Sequence, residues 1–124
     1  MDNSKKQELI EKYKLSTQEL DRIGNPIADL AAARLTSQNE PRLIFTGGQA
    51  GAGKSSISDL QVDRFQKDIA IVDTDLYRNN HPKVKEIQEL YPSIASNITH
   101  QAGAEIATRV GKAAFEKNAN VIYD

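Results

Sequence analysis

The sequence contains no cysteine and no tryptophan, a single methionine, and only 6% aromatic residues among its 124 positions. Without cysteine there can be no disulfide, no thiolate nucleophile and no Cys-ligated zinc, a composition suited to a reducing compartment. Positive charge is also not in surplus. Sixteen Lys and Arg stand against seventeen Asp and Glu, a formal net charge of −1, so no basic excess exists to neutralise a nucleic-acid backbone. The first thirty residues lack an apolar signal core, and no apolar run is long enough to cross a bilayer. The expectation is a cytoplasmic protein with neither membrane nor nucleic acid as partner. What is present is a globular balance, 39% apolar and 27% charged, at a length that fits one domain.

The first forty residues read as helical. Residues 4–13 carry a short apolar stripe of Leu9, Ile10 and Tyr13. The run Ser16-Thr17-Gln18-Glu19 matches a capping box and starts a second helix with Leu20 and Ile23 inward. Gly24-Asn25-Pro26 predicts an interruption, after which Asn25 caps a third helix with Ile27, Leu30, Ala31 and Leu35 on its buried side. A polar linker, 36–41, follows. The pattern then changes. Leu43-Ile44-Phe45 reads as a buried strand feeding a glycine loop, and 54–65 as a helix. Residues 69–72 form a second strand candidate and 82–90 a short helix. Ile98, Ala102, Ile106, Val110 and Ala114 repeat every four residues, predicting a long helix over 95–117. Val121-Ile122-Tyr123 is the third strand candidate. Alternating strands and helices indicate a parallel α/β sheet. The expected organisation is a helical segment 1–40 and a nucleotide-binding unit 41–124.

Gly48-Gln49-Ala50-Gly51-Ala52-Gly53-Lys54-Ser55 satisfies the pattern G-x-x-x-x-G-K-[ST], the phosphate-binding P-loop. At average composition a chain this long meets that pattern by chance well under about one time in a hundred. Its flanks, an apolar strand before and a helical pattern after, are those the motif requires. A phosphate chain needs several backbone N–H donors converging on it. Glycine lets the loop curl closely enough to supply them, and the following helix presents the positive end of its dipole. The pattern assigns 48–55 together with Ser56 to the nucleotide, Lys54 to the β- and γ-phosphates, and the Ser55 hydroxyl to Mg²⁺. ATP is the expected nucleotide, with GTP as the other candidate.

Ligands of an open parallel sheet sit beyond the carboxyl ends of its strands, and there the sequence places acids. Asp73 and Asp75 close the second strand. Strand alternation would point both the same way, so that one serves as general base or as a water-linked Mg²⁺ ligand. A strand-end Asp can equally just start a turn. Asp124 ends the third strand and competes with them for the Mg²⁺-linked role. Arg78 can pair with a substrate phosphate or simply be solvated. His81 precedes Pro82 and is a further substrate-binding candidate, although a lone His of this kind more often sits on the surface or caps a turn. His100 on the long helix reads as an ordinary surface residue.

Taken together, Gly47-Gly48-Gln49-Ala50-Gly51-Ala52-Gly53-Lys54-Ser55, then Val72-Asp73-Thr74-Asp75-Leu76-Tyr77-Arg78 and His81-Pro82, resemble the zeta toxin family of P-loop kinases from toxin–antitoxin systems. The lead-in Tyr13-Lys14-Leu15-Ser16 with Glu19-Leu20 is similar to that of some members. The resemblance implies a P-loop NTPase-type parallel sheet with flanking helices and an N-terminal helical lead-in. It implies an ATP-dependent kinase acting on UDP-N-acetylglucosamine or a related UDP-amino sugar. Lys54 would hold the phosphates, Asp75 would accept the proton of the sugar hydroxyl, and an antitoxin protein would be a partner. Asp124 falls where the family places an acid, usually Glu before Gly-Thr. Further strands, a lid and phosphoryl-stabilising arginines follow in the family, so an incomplete sheet and little activity of these 124 residues alone are expected. The competing expectation is a catalytically incomplete ATP- or GTP-binding module acting through protein partners. A regulatory GTPase is disfavoured, because no N/T-K-x-D motif follows the P-loop.

Overall fold

The structure, a computed structural model, is described over residues 2–46, 62, 64–65 and 67–124. The glycine loop and most of the helix expected after it lie outside the described residues.

Helix α1 spans Asn3–Lys12, capped by the Asp2 carboxylate on the Lys5 amide. Helix α2 spans Thr17–Ala33 and opens with the expected capping box: Ser16 Oγ accepts from the Glu19 amide at 3.1 Å, and the Glu19 carboxylate accepts from the Ser16 amide at 3.3 Å. The break expected at residues 24–26 does not occur; α2 runs straight through Pro26. Proline removes one helical hydrogen bond, and tertiary packing outweighs that loss. Leu20, Gly24 and Ala28, one turn apart, are buried against a later helix. That register also turns Leu30 to solvent, 69% exposed, against its expected inward position.

Strand β1 is Leu43–Phe45 and β2 is Ala70–Val72. After β2 come a single helical turn α3, Thr74–Tyr77, a 3-10 turn, Arg78–Asn80, and helix α4, Val84–Leu90. A second 3-10 turn, Pro92–Ile94, leads into helix α5, Ala95–Glu116, and the last strand β3 is Val121–Tyr123. Asn118, in the left-handed region at φ 60°, ends α5 as a short polar side chain tolerates.

The three strands are parallel in the order β1-β3-β2. As the middle strand, β3 has Val121 and Ile122 fully buried, which is why it reads as an unbroken apolar run. The core helix is α5. Ile98, Ala102, Ile106, Val110 and Ala114, the expected ladder, are all at most 2% exposed, and burying each isoleucine or valine contributes about 1.5–3 kcal/mol. Val110 and Ala114 meet Ala70, Val121 and, from α2, Ala28. A second cluster, Leu9, Tyr13, Ile87, Ile94 and Ile98, seats α1 on α4 and α5. Arg109 of α5 joins Asp21 of α2 at 2.9 Å and Glu105 at 3.0 Å. No described helix is long and apolar enough to cross a membrane.

Candidate functional site

Because the strands are parallel, their carboxyl ends share one rim. Thr46, the residue after β1 and immediately before Gly47, donates its backbone N–H to the Tyr123 carbonyl at 3.0 Å. Its hydroxyl donates to Asp124 Oδ1 at 2.8 Å. Asp124 in turn donates its N–H to the Val72 carbonyl at 3.0 Å. These bonds draw Thr46, the acid after β3 and the end of β2 together at one edge.

Beyond Val72 the chain does not continue as a strand. Asp73 is extended and caps α3, its Oδ1 accepting from the Asp75 N–H at 3.0 Å. The alternation expected to aim Asp73 and Asp75 in one direction is therefore replaced by a helical turn. One acid serves the backbone and the other is presented on the turn. The Asp75 side chain is 70% exposed and forms an ion pair with Arg78 one turn later. At that exposure the pair contributes only about 0–1 kcal/mol to stability. Arg78 is more enclosed, 28% exposed, and its Nε is buried without a hydrogen-bond partner among the described residues. Tyr77 packs against the core beside the sheet. Burial pushes its phenol above the ordinary value, helped by Asp73 and opposed by Arg34.

The turn is held against α5 by a close approach. A Cβ on Gly103 would lie 2.5 Å from the Thr74 carbonyl oxygen and 3.0 Å from Arg78 Cγ, so only glycine lets the helix pass this near. Thr46 and Gly103 were not singled out from the sequence. Thr46 is signalled only by its place before the double glycine, and Gly103 by the small residues of the α5 ladder.

The remaining candidates separate. His81 is 3% exposed, not a surface residue, and both its ring nitrogens are engaged by backbone. His100 is exposed as expected. The candidates Gly48, Gln49, Ala50, Gly51, Ala52, Gly53, Lys54, Ser55 and Ser56 lie outside the described residues. Among the described residues no group of three or more His, Cys, Asp or Glu could hold a metal ion.

The parallel sheet, the helix-covered face and the acid-bearing carboxyl rim, with the P-loop sequence entering from β1, define an α/β domain of the P-loop kind. The chain belongs to the zeta toxin family, whose model matches residues 28–124. It is 42% identical over 77 residues to Toxin PezT of Streptococcus pneumoniae serotype 4, a match covering 61% of this chain and 30% of that relative. To Toxin zeta of Streptococcus agalactiae it is 31% identical over 71 residues, covering 57% and 24% respectively. A solved structure from work on the PezAT chromosomal toxin–antitoxin system of Streptococcus pneumoniae superposes with a TM-score of 0.79 at 23% identity, over 90% of this chain and 46% of that one. The last likeness establishes the fold. The chain thus spans about a third or less of the length of these curated relatives.

Proposed function

We propose that this chain is the nucleotide-binding part of an ATP-dependent kinase of the zeta type, transferring a phosphoryl group to a hydroxyl of a UDP-amino sugar such as UDP-N-acetylglucosamine. One observation carries the reading: Thr46 and Asp124 are bonded to each other at the carboxyl ends of the strands, directly before the point where the P-loop sequence begins, and the turn bearing Asp75 and Arg78 follows β2 at that same end. In this reading Lys54 and the backbone N–H groups of 48–55 bind the phosphates. Asp75, exposed on its turn, accepts the proton of the acceptor hydroxyl. Arg78 holds the Asp75 carboxylate in place. The oxygen-only donors of the rim suit Mg²⁺, which takes one or two carboxylates together with phosphate oxygens. Ser55 and Asp124 would hold it, and when bound it supplies charge neutralisation along the phosphates. An antitoxin protein is the proposed macromolecular partner, by analogy with the toxin–antitoxin system of the solved neighbour.

A second reading, a nucleotide-binding module acting through protein contacts without catalysis, is favoured by one feature. Leu43 and Phe45 on the outer strand β1 are 45% and 71% exposed, an apolar surface suited to a partner. Titration with ATP and GTP tests both readings at their shared root. Lys54→Ala is expected to weaken nucleotide binding about tenfold or more, as loss of a charged phosphate contact does. Equal binding by the variant, or none by the native chain, would sink both. Transfer of the γ-phosphoryl group to UDP-N-acetylglucosamine then separates them.

A further inference from the structure

Helix α2 ends at Ala33 with Arg34 as its C-cap, and the chain then turns back towards β2, where the Thr36 amide donates to the Asp68 carboxylate at 2.8 Å. Beside this tie lies a cavity of about 550 Å³ that the reading above does not use. Its wall is apolar. Leu35, Ile69 and Val110 line it from the core, and Leu76 lines it while standing 53% exposed. Its polar groups are chiefly cationic. Arg34 and Lys67 both line it, and among the described residues neither has an ion pair or a side-chain hydrogen bond. The one acid of the lining, Asp68, is already engaged by the Thr36 amide and the Gln38 side chain. The Tyr77 phenol lines it too; burial pushes that phenol up, and the Arg34 charge opposes the rise. Lys67 adds a backbone observation. It sits in the left-handed region at φ 65°, where glycine is at ease and a side chain costs stability. A cation is thus kept at a position whose backbone favours glycine.

We propose that this cavity is a second binding site, separate from the rim before the P-loop sequence, for a small organic anion. Its carboxylate or phosphate group is held by Arg34 and Lys67, and its apolar ring or chain lies on Leu35, Ile69 and Leu76. The volume is that of a pocket for a compact ligand, roughly 300–1,000 Å³. Two cations with no acid free to neutralise them favour a negative group, and the apolar wall favours a body that leaves water. The cavity also borders an edge strand. β2 pairs only with β3, through the Ala70 N–H and the Val72 carbonyl, so alternation turns the Ile71 N–H and carbonyl away from β3. An added peptide strand suits this place less well. β2 spans only Ala70–Val72, with the Thr36–Asp68 tie before it and the helical turn α3 after it. The site does not rest on the kinase reading, since none of its residues belongs to the P-loop sequence or to the acids of the rim.

The test is an NMR titration of the whole chain with four probes: hydrocinnamate, phenyl phosphate, hydrocinnamyl alcohol and inorganic phosphate. Hydrocinnamate, phenyl phosphate or both should shift the methyl resonances of Leu35, Ile69 and Leu76 together with those of Lys67. Whichever of the two binds more tightly identifies the charged group the site prefers. The better aryl anion should bind about tenfold or more tighter than the uncharged alcohol, as loss of a charge-assisted contact predicts. Arg34→Gln and Lys67→Gly should each weaken it about tenfold. Lys67→Gly also relieves the left-handed backbone, so its denaturation midpoint should stay level or rise while binding falls. Lys54→Ala should leave these shifts unchanged, which separates this site from a phosphate seated on the P-loop. The proposal is overturned if neither aryl anion shifts these residues, or if the alcohol binds as well as the anions. Equal shifts with inorganic phosphate would reduce the site to ion pairing at exposed cations and overturn it too. So would a chain that dimerises through Leu76 in place of binding the probes, or a Lys67→Gly chain that binds like the native one.

Discussion

The two ends of the one sheet use the same residue types for opposite purposes. At the amino ends of the strands, polar side chains are consumed by backbone. Buried Asn120 accepts from the Arg42 amide at 2.9 Å and donates to the Asp68 carbonyl at 3.4 Å, bracing β1 and β2 about β3. The Asp68 carboxylate accepts the Thr36 amide at 2.8 Å and the Gln38 side chain at 3.2 Å, closing the linker onto the sheet. At the carboxyl ends, Asp73 makes a comparable cap, but Asp75 stands 70% exposed with an arginine beside it. An aspartate whose oxygens bind amides holds structure together, whereas one presented on a turn is available to a ligand. The difference lies in what the adjoining chain offers each carboxylate.

That contrast can be broken by substitution. The largest effect is expected from Asp75→Asn, which should reduce any phosphoryl transfer about a hundredfold or more while changing stability by less than about 0.5 kcal/mol. Transfer assays beside denaturant melts would check it, and a large loss of stability would place Asp75 with the structural acids. Gly103→Ala forces a Cβ against the Thr74 carbonyl, a backbone atom that cannot step aside. It should destabilise the chain by about 1–3 kcal/mol and displace the Asp75 turn, visible as a lower denaturation midpoint and as altered Asp75 and Arg78 resonances. Asn120→Ala is the mirror experiment. Loss of the part-buried bond to the Arg42 amide should cost about 0.5–1.5 kcal/mol with ATP affinity in the folded chain unchanged; a matching fall in affinity would show that the two ends are not independent.

The smallest effect concerns pH. The bond to Glu86, together with burial, pushes the Tyr13 phenol up to about 12 from 10.0. The folded state favours the protonated phenol, so this contribution is complete below pH 10 and is lost as the pH rises from 10 towards 12. Tyr13→Phe should flatten that part of a stability–pH curve.

How much was legible in advance follows the range of the interactions involved. The capping box at Ser16 and Glu19, the positions of the three short strands, and the four-residue ladder of α5 were all readable, because each depends on neighbours a few positions away; the burial expected of β1 was not found, since Leu43 and Phe45 on that edge strand are exposed. The P-loop sequence and the zeta toxin resemblance are likewise carried by contiguous residues, and the family match over 28–124 agrees with them. Of the other errors, one falls where distant contacts override local preference, another where a local turn competes with strand alternation. Pro26 did not end a helix whose Gly24 and Ala28 are pressed on α5. Asp73 and Asp75 did not alternate, since the Asp73 carboxylate took the Asp75 amide and started a turn. An Asp two residues before another acid was the available signal for that N-cap.

The sequence by itself determined the order of elements, the parallel α/β class and which chemical groups the chain possesses, since periodicity and motif spacing are local properties. Only the tertiary structure decided which of those groups are available. Packing of α5 on α2 and on the Thr74 turn selected the face of each helix, exposed Asp75 and enclosed Arg78. The same packing buried His81 between two backbone partners that lie 68 residues apart and two residues apart in the chain. A carboxylate or an imidazole has the same chemistry everywhere; its role is set by the donors and acceptors that the fold brings to it.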